Sequence, residues 1–82
     1  MSPGCHFEPY RKTGGETGVV RYALEDGAIH VQFRDGMIYV YDEATAGHKH
    51  VAKMQQLAIA GAGLSTYISQ HVHDRYARKY RL

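Results

Sequence analysis

The chain has 82 residues, of which 44% are hydrophobic and 22% charged, and its formal net charge is +2. That balance excludes a disordered polyelectrolyte, and the length confines the chain to one small core burying roughly 60–65% of the surface its unfolded form exposes. No stretch approaches the ~18 apolar residues of a membrane span, and the single cysteine, Cys5, excludes an internal disulfide.

Residues 1–16 hold Pro3, Pro9 and three glycines among few apolar neighbours, so they read as a loose leader. Its first ten residues lack the apolar run of a signal peptide, which makes the expected location cytoplasmic. Residues 17–82 are expected to form a single domain.

From Val19 onward, two Asp-Gly pairs, Asp26-Gly27 and Asp35-Gly36, separate three short runs rich in Val, Ile, Tyr and Phe. Each pair predicts a two-residue type I′ turn, and the runs predict strands at about 19–24, 29–34 and 37–42. Such turns fix the register. The first sets Leu24 opposite Ile29, Tyr22 opposite Val31 and Val20 opposite Phe33; the second sets Phe33 opposite Ile38, Val31 opposite Val40 and His30 opposite Tyr41. Val20, Tyr22, Leu24, Ile29, Val31, Phe33, Ile38 and Val40 then share the expected core face. The other face collects Arg21, Ala23, His30, Gln32, Arg34, Met37, Tyr39 and Tyr41, and a one-residue slip would bury that polar set. A three-residue first loop, Glu25 to Gly27, is the competing arrangement and would misalign the apolar set.

After Asp42 good helix formers dominate. Val51, Met54, Leu57, Ala58 and Gly61 recur at spacings of three and four, predicting a helix over 46–60 with Thr45 as its cap and Gly61 and Gly63 as its break. A second helix from about 64 presents Leu64, Tyr67, Ile68, Val72 and Tyr76 on one side and either runs through Arg78 or frays. The expected architecture is α+β, a three-stranded antiparallel meander followed by two helices in the order β-β-β-α-α.

At this point the chain resembles the KTSC domain, a family named for its occurrence at the C-terminus of some lysyl-tRNA synthetases and also found as stand-alone bacterial proteins. The match runs from about Val19 to Tyr76. It rests on Tyr22, the strand ending in Phe33, Gly36 in the turn, and the Tyr39-Val40-Tyr41 pair that is the family's central motif, followed by an Ala/Gly-rich break and an aromatic helix. The resemblance implies RNA binding as a candidate function; nothing in the chain resembles a synthetase catalytic core.

The residues themselves offer two candidate surfaces. On the polar sheet face, Tyr39 and Tyr41 are suited to stack on unpaired bases, with Arg21 and Arg34 on phosphates and His30 and Gln32 on base edges. The plainer reading is that these cross-strand pairs merely stabilise the sheet, or that a helix covers them. At the C-terminus Arg75, Arg78, Lys79 and Arg81 interleave with Tyr76 and Tyr80, a pattern suited to phosphates and stacking, or else a basic helix end answering its own dipole. Charge favours the second surface, because residues 15–43 sum to −4 and residues 44–82 to +5. The same tyrosines and arginines would equally serve a protein-protein or self-association interface.

Other constellations carry less. His48 and His50, like His71 and His73, are two apart, and on a helix such residues diverge by about 200°, so neither pair chelates a metal. Gly61-Ala62-Gly63 before Ser65 and Thr66 is a weak anion-site pattern, lacking the strand and Gly-Lys-Ser/Thr element of a P-loop. No serine or cysteine has a visible activating base, so the expectation is a binding module without catalytic residues, cofactor or metal.

Overall fold

The computed structural model describes residues 7–10 and 18–81. Among these, five strands form one antiparallel sheet in chain order: β1 (Phe7–Pro9), β2 (Val19–Glu25), β3 (Ala28–Phe33), β4 (Met37–Asp42) and β5 (Arg78–Arg81). Between β4 and β5 run the helices α1 (His48–Ala60) and α2 (Leu64–Tyr67), the latter continuing into a π-helical turn, Ile68–Val72. The α+β class and the central meander agree with the sequence reading, but the meander gains a strand at each edge. β1 lies inside the segment read as a leader, where Phe7 pairs with Ala23 and Pro9 with Arg21. Cys5 lies outside the described residues.

The first hairpin has the expected register, with Leu24 opposite Ile29 and Tyr22 opposite Val31. Its turn is not type I′, because Gly27 (φ 74°) has positive φ and Asp26 does not. A bulge between Val19 and Arg21 adds a residue to β2, so Val19 takes the place expected of Val20 opposite Phe33. Val19 is buried, whereas Val20 is 42% exposed. Leu24, also expected in the core, is 40% exposed on β2, beyond the β3 and β4 strands on which α1 packs.

The second hairpin overturns the expected register. Val31 faces Tyr39 and Ile29 faces Tyr41, one residue away from the two-residue solution. The loop is Arg34-Asp35-Gly36, with the Gly36 N–H donating to the Phe33 carbonyl at 2.9 Å and Gly36 at φ 92°. A type I turn closed by a left-handed glycine uses the same Asp-Gly letters as a two-residue turn. The slip exchanges the faces of β4. Tyr39 and Tyr41 now point towards the helices, and Ile38 and Val40 share the opposite face with His30 and Gln32. Gly36→Ala places a β-carbon 3.1 Å from the Arg81 guanidinium in a conformation that L residues resist. It is expected to lower the unfolding free energy by about 1–2 kcal/mol, read by denaturant titration.

The helix side of the sheet holds the main core, in which Tyr22, Ile29, Val31 and Tyr41 meet Val51, Met54 and Ala58 of α1 and Leu64, Ile68 and Val72 beyond it. Apolar side chains three and four apart put one stripe of α1 on β3 and β4. Thr45 does not cap α1. It closes a turn with Asp42, donating its N–H and its hydroxyl to the carboxylate at 2.9 Å each, and the helix opens two residues later with Gly47 at the cap position. Gly61 ends α1 in the left-handed conformation, as expected.

The second helix stops well short of Arg78. The His73 N–H reaches the Ile68 carbonyl five residues back at 2.7 Å, closing the π-helical turn and releasing the chain. The Ala77 N–H then bonds to the Val40 carbonyl at 2.6 Å and β5 pairs along β4. The basic C-terminal segment is therefore an edge strand, not a helix. Its residues alternate as readily as they recur at three and four, and the outer edge of β4 supplies backbone partners that a helix would have left to water.

Candidate functional site

The turn that flips β4 also builds a cleft of about 500 Å³. Its sheet side is formed by Phe33 of β3 with Tyr39 and Tyr41 of β4, and its opposite wall by Ser65, Ile68 and Ser69 of α2 and the π-helical turn. His73, Asp74 and Tyr76, on the segment released by that turn, complete it together with Gly18 and Asp35. The rings stand edge to face: Phe33 and Tyr39 at 5.3 Å and 84°, Tyr39 and Tyr76 at 4.8 Å and 77°, Tyr41 and Tyr76 at 6.4 Å and 86°. Perpendicular packing sets the positive edge of one ring against the negative face of the next, which fixes both without filling the space between them.

Cations from β5 adjoin this cleft. Lys79, opposite Tyr39 in the ladder, holds its ammonium 5.8 Å from the ring centroids of both Tyr39 and Tyr76. Arg81, opposite Met37, donates from Nη1 to the Asp35 carbonyl at 2.8 Å. Tyr41 forms the floor, buried to 1% exposure, with its hydroxyl directed at the His73 carbonyl over 3.5 Å. Burial, and then the nearness of Tyr39, Tyr76 and Asp74, hold its hydroxyl well above the usual tyrosine range, so it is a neutral donor throughout the physiological range.

The structure thus divides the residues proposed from sequence. Tyr39, Tyr41, Lys79 and Arg81 come together at the cleft, and Arg75 is exposed one residue before Tyr76. Arg34 is exposed in the turn beside Asp35. His30, Arg21, Arg78 and Tyr80 lie on the other sheet face, away from the helices. Tyr39 and Tyr41 do not stand on a face with His30 and Arg21, because the three-residue turn carries them to the opposite side.

His30 is a core residue, 3% exposed. Its Nε2–H donates to Glu25 Oε1 at 2.8 Å, since a carboxylate only accepts, and in the neutral ring Nδ1 accepts the Tyr80 hydroxyl at 3.0 Å. Phe7 of β1 and Tyr80 of β5 meet the imidazole edge-on, at 6.2 and 6.1 Å between centroids. The central strand is thereby tied to both edges of the sheet.

Sequence reasoning missed Phe33, Asp35, Ser65, Ser69, Asp74 and Tyr76 as one constellation. The aromatic count was a signal, but what gathers the rings is the turn length and the π-helical exit, neither of which has a distinctive spelling. Of the histidines, His50 and His71 meet across the two helices with rings 5.6 Å apart, and His50 Nδ1 lies 2.7 Å from the Tyr67 hydroxyl. Among the described residues no three His, Cys, Asp or Glu side chains are placed to hold a metal ion, and no helix is long and apolar enough to cross a membrane. At Gly63 the first free N–H, that of Leu64, is occupied by the Tyr10 hydroxyl at 3.0 Å.

The fold and cleft define an α+β domain with helices on one side of a five-stranded antiparallel meander. No family model, curated protein or solved structure matches the chain.

Proposed function

We propose that this chain is a small nucleic-acid-binding module of the KTSC kind its sequence resembles, taking an unpaired base of single-stranded RNA into the aromatic cleft and the adjoining phosphates along β5. The observation that carries the reading is the adjacency of four aromatic rings and two strand-borne cations, Lys79 and Arg81, at one cleft. Stacking on a ring contributes roughly 1–3 kcal/mol per base, and phosphate contacts supply the sequence-independent remainder. The basic partner surface is an extended edge strand, which tracks a phosphate backbone as well as the helix expected from sequence. A reducing cytoplasm, the location expected from sequence, is where such a ligand is met.

Titration with a short single-stranded RNA, followed by amide and tyrosine ring resonances at low and moderate salt, tests this. Shifts are expected at Tyr39, Tyr76, Lys79 and Arg81. With Arg75, Lys79 and Arg81 each meeting a phosphate, log K should fall against log salt with a slope of about −2. Reversing Lys79 and Arg81 to glutamate should flatten that slope. Resonances that stay put at both salts would overturn the reading.

A further inference from the structure

Resting on that reading, we infer that the cleft selects guanine among the bases. Its polarity is unusual for a nucleic-acid site, because the cations flank it and the carboxylates line it. Asp35 and Asp74 both contribute to the cleft wall. Asp35 accepts the Met37 N–H at 3.0 Å, and its carbonyl is taken by Arg81. Asp74 is exposed and makes no hydrogen bond or ion pair among the described residues.

A ligand complementary to this layout is planar, to stack on one ring face of the mutually perpendicular aromatic set while its edge meets the next ring; anionic on the side of Lys79 and Arg81; and rich in hydrogen-bond donors where it meets Asp74. An ionised carboxylate only accepts, and it pairs best with two adjacent donors. Guanine alone among the four bases has them, N1–H beside the N2 amino group. Adenine and cytosine set one amino donor beside a ring nitrogen whose lone pair would face the carboxylate, and the N3–H of uracil is flanked by two carbonyls. Guanine O6, next to N1–H, needs a donor instead, and Ser65 and Ser69, which also line the cleft, carry hydroxyls of that chemistry. A nucleotide with this base therefore matches the site at both its neutral and its charged end.

The test uses the whole chain and four oligouridylate strands that differ at one central position, G, A, C or inosine, together with free 5′-GMP. The G strand is expected to bind about tenfold more tightly than the A or C strand, the scale of one bidentate base contact. Inosine, which lacks the N2 amino group, should fall between. Asp74→Asn, at an exposed position that leaves folding intact, should bring the G strand down to the level of the others. If 5′-GMP moves the Asp74 and Tyr76 resonances as the G strand does, guanine is read as a free nucleotide; if the G strand alone does so, it is read within a chain. Equal binding of all four strands overturns guanine selection while leaving the nucleic-acid reading standing. Failure of every strand to bind, with no response to 5′-GMP, overturns both.

Discussion

Replacing His30 with alanine is expected to lower the unfolding free energy by about 2–4 kcal/mol and to loosen β5 before the rest of the sheet. The substitution empties a buried site between Phe7 and Tyr80, and it removes the two ring nitrogens that bind the half-exposed Glu25 carboxylate and the Tyr80 hydroxyl. β5 has four residues and one neighbouring strand, and to its ladder and the Lys79 and Arg81 contacts the imidazole adds a buried tie from the centre of the sheet. Amide hydrogen exchange provides the sharper readout. Protection at residues 78–81 should fall by more than that of β3 and β4, and an even loss across the sheet would show that His30 supports packing generally rather than latching the edge. His30→Gln, which keeps a donor and an acceptor, should recover part of the difference.

Truncating Tyr41 to alanine should cost about 3–5 kcal/mol. A chain of this length has about 4–12 kcal/mol in total at the usual stability per residue, so the loss is a large share of the whole and should lower the thermal unfolding midpoint markedly, as circular dichroism would register. Tyr41 is the floor of the cleft and one of the largest fully buried side chains, and it joins β4 to the helix layer. Tyr41→Phe separates packing from the hydroxyl, whose bond to His73 is long at 3.5 Å, and should cost less than about 1 kcal/mol at neutral pH. The two chains should then diverge in alkali. Because the folded state raises the Tyr41 pKa, the unfolded chain loses that proton first, at about pH 10, and from there upward the wild type loses stability by about 1.4 kcal/mol per pH unit more than Tyr41→Phe does. Parallel stability curves above that pH would contradict the burial of this hydroxyl.

The contrast between the two hairpins explains what could be read in the sequence. In the first, β3 offers apolar Ile29 and Val31 on one side and His30 and Gln32 on the other, so one register separates them and the pattern is decisive. In β4 the two faces are Ile38 and Val40 against Tyr39 and Tyr41, both of them apolar enough to bury, and hydrophobic patterning does not distinguish them. Turn length then decides, and Asp-Gly fits loops of two residues and of three. Ile38 and Val40 are buried as expected, yet on the face that Tyr80 and Phe7 help to close rather than under the helices. The strands at Phe7–Pro9 and Arg78–Arg81 escaped notice because they are short and polar, and their order comes from pairing with a neighbour rather than from any intrinsic preference. The helix bounds were legible where glycine marks an end, at Gly61, and not where a five-residue hydrogen bond does, at His73.

Among the described residues, strand order that follows chain order leaves the sheet with two rims, and both are poor templates for a foreign strand. At one, Pro9 withholds a backbone donor from a strand of only three residues. At the other, Arg78, Lys79 and Arg81 place three positive charges within four residues, so the same rim of a second molecule is repelled before its backbone can align. These charges thus guard the rim against aggregation. A ligand that neutralises them would lift that protection, and crowding of the chain on a long polyanion is the circumstance in which neighbouring molecules would be expected to join edge to edge.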